Sequence, residues 1–193
     1  LIVSICAGIS TAFIEQQVEK AHVIRVMPNL AAVVGEGISC LCKGLYASSI
    51  DLSFVQGLFS KMGKTMVIPE ERMNAATAVS GSGPGFLFDL IKDKPKQDWL
   101  AFCRAEFIPR LAQAAQQAGF PADDASALAE ATALGSVSLL EKTRISPEVM
   151  CLLTGFGSGG GLFGGTCGSV NGAIAALGLV YGRRQPRSGT AED

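Results

Sequence analysis

The hydrophobic pattern changes period at Glu70, and that change limits what the chain can fold into. Before Glu70, short apolar runs alternate with stretches of helical spacing. Leu1 to Ala7 is nearly continuous in apolar residues, which predicts a strand buried on both faces of a parallel sheet. His22 to Met27, Ile38 to Cys42 and Thr65 to Ile68 read as three further strands. Between them, Ser10 and Thr11 offer caps to a helix carrying Phe13, Ile14 and Val18. Residues 51 to 62 form a second helix, with Asp51 as its cap and Phe54, Val55, Leu58, Phe59 and Met62 at helical spacing. Strand, helix and strand alternating in this way make βαβ units.

After Glu70 the spacing is helical almost throughout. Met73 to Val79 and Pro84 to Ile91 read as helices, and the charged Lys92 to Asp98 as an exposed insertion. Trp99 to Ala118 predicts one long amphipathic helix with Leu100, Cys103, Phe107, Leu111, Ala114 and Ala118 on one face. Ala122 to Lys142 follows, with Asp123 and Asp124 in its first turn, where acids favour the helix dipole. Its stripe Ala125, Ala129, Ala133, Ser136 is small enough for another helix to approach closely, within the chain or from a second copy. Ser146-Pro147-Glu148 opens one more helix. The fold class is therefore α/β followed by all-α.

Between Thr77 and Phe86 lies Thr-Ala-Val-Ser-Gly-Ser-Gly-Pro-Gly-Phe, which reads as a loop feeding a helix start. Ser80 and Ser82 can accept bonds from the unpaired N–H groups of a first turn. Gly81 and Gly83 allow close backbone approach, and Pro84 suits the first helical position. Two readings stand at this point. One is a plain serine-capped helix; the other is a site for a carboxylate or phosphate at the positive end of the helix.

Composition excludes several classes of function. Hydrophobic residues make up 48% of the 193, which rules out a disordered chain. The formal charge is −1 and no basic run precedes Arg183-Arg184, so nucleic acid has no electrostatic footprint here. No apolar run approaches the roughly 20 residues of a membrane span. The six cysteines show no C-x-x-C spacing and read mostly as reduced core residues of a cytoplasmic protein. Neither zinc-type spacing nor HExxH occurs, and the single histidine, His22, reads as a strand-start residue without a partner rather than a catalyst. The glycine run Gly155 to Gly165 lacks the Lys-Ser/Thr of a phosphate loop and follows no predicted strand.

Four segments together carry a resemblance: Ile5-Cys-Ala-Gly-Ile9, Val23-Ile-Arg-Val-Met-Pro-Asn29, Val34-Gly-Glu-Gly37 and Ala75-Ala-Thr-Ala-Val-Ser-Gly-Ser-Gly-Pro84. In order and spacing they resemble pyrroline-5-carboxylate reductase, over about residues 1 to 150. The resemblance implies the C-terminal part of a Rossmann-like NAD(P)-binding domain, followed by a helical dimerisation domain. It implies reduction of 1-pyrroline-5-carboxylate to L-proline by NADPH or NADH, in cytoplasmic homodimers or larger homo-oligomers, with no metal, nucleic acid or membrane. On the cofactor side it marks Ala7, Gly8, Met27, Pro28 and Asn29. On the substrate side it marks Ser80, Gly81, Ser82, Gly83, Pro84 and Thr154. No residue is singled out as an acid or base, since such a reduction needs hydride and orientation more than proton machinery.

The chain departs from the family pattern in three places. It begins inside a strand-like run without an initiator Met, and reads as a piece lacking the phosphate-binding glycine turn. Leu30-Ala31 stands where the family has Thr-Pro. Thr154-Gly-Phe-Gly-Ser-Gly-Gly-Gly161 replaces a Ser-Pro-Gly-Gly-Thr-Thr type of loop. The tail, with Cys167-Gly-Ser-Val-Asn-Gly-Ala173, faintly resembles the redox-active Cys-GCAxxG-Cys-Cys family instead. The expected organisation is 1–69 as the end of the dinucleotide-binding domain, 70–150 as the helical domain, 151–184 as a glycine-rich helical tail and 185–193 as a disordered end. The alternatives to a reductase are a non-catalytic dimerisation fragment, or a thiol redox role for the tail.

Overall fold

The computed structural model describes residues 1–150. Four strands form one sheet in the order β1 (Ile2–Ser4), β2 (Val23–Met27), β3 (Gly37–Lys43), β4 (Gly63–Val67). Helix α1 (Thr11–Gln17) links β1 to β2, which pair in parallel with Ser4 opposite Arg25. Helix α2 (Ser49–Phe59) links β3 to β4, also parallel. Between these two units the sheet reverses, and β2 and β3 run antiparallel with Met27 opposite Cys40. The connection is a 3-10 turn, Leu30–Val34, closed by Gly35 at φ 77°. It is too short for the crossover that parallel neighbours require, so the sheet is mixed rather than parallel throughout.

The two inner strands are buried on both faces, as their largely apolar runs require. Ile24, Val26 and Leu41 face α2, packing with Ala47 and Val55. Met27, Ile38, Cys40 and Cys42 face the other way and share a core with Met73, Ala76, Val79, Ala125 and Leu128 from the helical part. β1 departs from expectation. It has a neighbour on one side only among the described residues, and Leu1, Val3 and Ile5 are exposed, as are Phe13 and Val18 of α1. The apolar run was readable, but no second layer covers it among the described residues.

Helix ends follow local chemistry. Ser10 caps α1 by accepting from the Phe13 N–H at 3.2 Å. Ser48, not Asp51, is the cap of α2. Asp51 is the acid of a capping box, accepting from the Ser48 N–H at 2.8 Å while its own N–H donates to Ser48 Oγ.

Beyond Glu70 come α3 (Met73–Ala76), α4 (Gly83–Ile91), α5 (Trp99–Phe102), α6 (Ile108–Gln117) and α7 (Ala122–Thr143). A π turn joins α3 to α4 at Thr77–Gly81, and a second joins α5 to α6 at Cys103–Phe107. Each stands just ahead of a proline, Pro84 and Pro109. A proline cannot donate to the carbonyl four residues back and crowds it, so a widened turn at that point relieves the clash. The extra residue also shifts the helical phase. Cys103 and Phe107 are buried as the stripe predicts, but Leu100, Ala114 and Ala118 are exposed, while Ala112 and Ala115 turn inward.

Helix α7 is the spine of the helical part. Ala125, Ala129, Ala133 and Ser136 are all fully buried, against elements of the same chain: α6, α4, β3 and the Leu30–Val34 turn. Gly135 shows how close that approach is. A Cβ there would lie 2.3 Å from the Glu36 carbonyl.

Candidate functional site

The carboxyl ends of β1 and β2 lie side by side, because the strands are parallel and in register. Ala7 and Gly8 follow the first, and Pro28 and Asn29 the second. In open α/β sheets, ligands bind outside such carboxyl ends. Ala7 and Gly8 are exposed, with Gly8 at φ 75°. Met27 is fully buried and packs in one cluster with Val79. Asn29 is 3% exposed, and its Oδ1 accepts from the Ile38 N–H at 3.1 Å. Its Nδ2 is buried and has no partner among the described residues. A donor in that state lacks a hydrogen bond worth roughly 1–3 kcal/mol, which an acceptor reaching the site would provide.

The segment marked on the substrate side is not a loop. The chain passes from α3 through the π turn into α4, and the Ser82 N–H donates to the Thr77 carbonyl at 3.0 Å. Neither serine caps. Ser80 is fully buried and donates its hydroxyl to the Ala76 carbonyl at 2.9 Å, and Ser82 is exposed without a cap bond. Gly83 and Pro84 are buried, and a Cβ on Gly83 would meet Thr132 Cγ2 at 3.0 Å. The open helix end read from the sequence is therefore absent. Gly81 and Ser82 are the members that face solvent, while Gly83 serves the contact of α4 with α7. Thr154 and Cys167 lie outside the described residues.

A buried ionic cluster ties the two sides together. Arg25 is 1% exposed and projects from β2 toward the helical part. Its Nη1 donates to Glu70 Oε1, and its Nη2 to Asn74 Oδ1 at 3.2 Å. Glu70 Oε2 accepts from the Thr11 N–H at 3.1 Å and from the Cys42 thiol at 3.3 Å. Burial raises the Glu70 pKa, but these donors, with the Thr11 N–H foremost, outweigh it and hold the carboxyl below its ordinary value. Burial and the Glu70 carboxylate push the Cys42 thiol up to about 12. Nothing in the sequence reading marked Arg25, Glu70 or Asn74. The available signal was one charge inside an otherwise apolar strand, since a buried arginine is almost always paired.

His22 does have a partner. Its Nδ1 lies 3.0 Å from Asp51 Oδ2, a carboxylate 29 residues away in sequence. Ser48 and then His22 hold the Asp51 pKa down to about 2. The pair sits at the exposed start of α2 with half of the His22 side chain in solvent, which suits a helix cap. Among the described residues no group of three His, Cys, Asp or Glu side chains could hold a metal ion. No helix there is long and apolar enough to cross a membrane.

Residues 131–193 match a family model described as "Putative redox-active protein (C_GCAxxG_C_C)". A pyrroline-5-carboxylate reductase of Mycobacterium tuberculosis is 40% identical over 93 residues, covering 48% of this chain and 32% of that protein. One of Arabidopsis thaliana is 34% identical over 150 residues, covering 78% of this chain and 48% of that protein. A solved 1-pyrroline-5-carboxylate reductase from Streptococcus pyogenes is 27% identical with a TM-score of 0.45, covering 77% of this chain and 51% of that one. The chain thus spans about half the length, or less, of the curated relatives it matches. The resemblance read from the four segments holds: over that span the chain is similar to the pyrroline-5-carboxylate reductases.

Proposed function

We propose that the chain forms part of an NAD(P)H-dependent reductase that converts 1-pyrroline-5-carboxylate to L-proline, in a cytoplasmic homodimer or larger homo-oligomer. The observation that carries this reading is the kinship with proteins of that name at 33–34% identity over about three quarters of the chain. Residues 1–69 would close a dinucleotide-binding domain, and 70–150 would form the helical substrate and dimerisation domain. Ala7, Gly8, Met27, Pro28 and Asn29 would line the cofactor side, at the carboxyl ends of β1 and β2. The Asn29 Nδ2, without a partner among the described residues, fits such a role, since it offers a buried donor to an acceptor on the cofactor. The cofactor supplies hydride, and the residues of this chain supply orientation and exclude water. Gly81, half-buried, and Ser82, exposed, would face the substrate from the π turn. Ser80, Gly83 and Pro84 would hold that turn in place, with Thr154 completing the substrate side.

Oxidation of NADPH or NADH by the purified chain, with and without 1-pyrroline-5-carboxylate, tests the reading. The chain alone should turn over little. The same chain preceded by the dinucleotide-binding half of a relative should turn over readily. A folded joined protein with no turnover would overturn the proposal and leave a non-catalytic dimerisation module. Brisk turnover by the chain alone would show that the cofactor is held by other residues.

The family match over residues 131–193 favours a second reading, a thiol redox role for Cys167. Labelling of Cys167 by a thiol reagent near neutral pH decides it. A slow reaction, typical of a thiol with a pKa near 8.5, would remove that role.

A further inference from the structure

A second recess lies apart from Met27–Asn29 and Ser80–Pro84. The Glu36–Gly37 turn, Gly63 and Lys64 at the start of β4, Leu100, Arg104 and the middle of α7 enclose a cleft of about 580 Å³. That volume falls within the roughly 300–1,000 Å³ of small-molecule sites. Ala131, Leu134 and Leu100 give it an apolar lining, and Ser138 adds a hydroxyl.

Its charges do not cancel. Glu36 accepts from Lys142 Nζ at 2.7 Å, and Lys142 followed by the more distant Lys64 lowers its pKa. The carboxylate is therefore already matched. Arg104 has no ion pair or hydrogen bond among the described residues, although its neighbour Glu106 pairs with Arg110 at 3.5 Å. Lys64 likewise lacks a direct partner among them, and acts on Glu36 only at longer range. Arg104 also sits on the π turn Cys103–Phe107, which resets the helical phase at the edge of the cleft. Such turns recur at functional sites.

We propose that this cleft binds a small organic monocarboxylate. Its apolar body would rest on Leu100 and Leu134, and its carboxylate would lie between Arg104 and Lys64. The guanidinium fork suits a planar carboxylate, and the ammonium serves as a second point charge. With Glu36 already matched by Lys142, Arg104 and Lys64 are both left to an anion, and the apolar lining of Leu100, Ala131 and Leu134 favours one with an organic body over inorganic phosphate. The inference does not depend on the proposed reductase activity.

Calorimetric titration of the full chain with 1-naphthoate, with amide chemical shifts followed in parallel, tests it. Saturable one-to-one binding is expected, with shifts centred on Leu134 to Ser138. Arg104→Ala and the uncharged probe 1-naphthamide should each weaken binding by about tenfold, the usual worth of a charge-assisted bond. Lys64→Ala should weaken it less, and Arg110→Ala, which alters an exposed charge outside the cleft, should leave it unchanged. Absence of saturable binding would overturn the proposal. So would equal affinity for acid and amide, shifts centred on Ser80–Pro84, or self-association that protects Leu134 and blocks the probe.

Discussion

Arg25 on β2 donates to Glu70, the residue at which the hydrophobic pattern changes period, so one ion pair joins the sheet to the first turn of the helical part. The partners differ in exposure. The Arg25 side chain retains 2% of its surface and that of Glu70 retains 30%. Arg25 therefore cannot recover its solvation by turning outward, whereas Glu70 partly can.

That asymmetry predicts unequal costs of mutation. Glu70→Gln removes the charge that compensates a buried guanidinium. Loss of a fully buried partner costs about 3–5 kcal/mol, and the partial exposure of Glu70 should bring this to about 2–3 kcal/mol. Arg25→Met should cost less, because the carboxylate left behind is partly exposed and keeps the Thr11 N–H as a donor. Urea unfolding followed by circular dichroism measures both. Equal midpoints for wild type and Glu70→Gln would show that the pair contributes nothing.

The same carboxylate predicts a pH dependence. Its folded-state pKa is held below the ordinary value, so its contribution is complete above the unfolded value, about 4.3. The contribution is lost as pH falls through the lowered folded-state value. Wild type and Glu70→Gln should differ in stability near neutrality and converge in acid. Asp51, held down to about 2, should act in the same direction between about pH 4 and its own folded value. Unfolding midpoints measured from pH 7 down to pH 3 would reveal either behaviour, and parallel curves would refute it.

Burial sets the order of thiol reactivity. Desolvation pushes Cys40 and Cys42 to about 12 and Cys103 to about 11, while Cys6 is exposed. Labelling with iodoacetamide at neutral pH, mapped by peptide mass spectrometry, should modify Cys6 before Cys40, Cys42 and Cys103 and leave those three until the protein is unfolded. Early modification of Cys42 would mean that the cluster around Glu70 opens in solution.

Much of this arrangement was legible because its cause is local. Val23 to Met27 is apolar on both sides but for Arg25 and became a central strand. Ala125, Ala129, Ala133 and Ser136 repeat at helical spacing and became a fully buried face of α7. Three features were hidden because their causes are distant in sequence. The Leu30–Val34 turn, which reverses the sheet between β2 and β3, packs on α7 far along the chain. Glu70 is 45 residues from Arg25, and Asp51 is 29 from His22. The Ser80–Pro84 segment misled for a different reason. Serine, glycine and proline are the residues of a helix start, and the same residues suit a helix that widens for one turn to pass a proline.

Two substitutions at Ser82 separate those readings of the segment. A capping serine replaced by alanine costs about 0.5–2 kcal/mol. Ser82 makes no cap bond and is exposed, so Ser82→Ala should lie within about 0.5 kcal/mol of wild type, as surface changes do. Ser82→Pro removes the N–H that bonds the Thr77 carbonyl and places a second ring within two residues of Pro84. In a continuous helix this should cost about 3 kcal/mol, whereas a proline in a loop ahead of a helix start would be tolerated. Thermal unfolding of both variants, with hydrogen exchange at Val79 to Gly81, gives the comparison. A costly alanine with a mild proline would restore the loop and cap, and with them an open helix end for an anion.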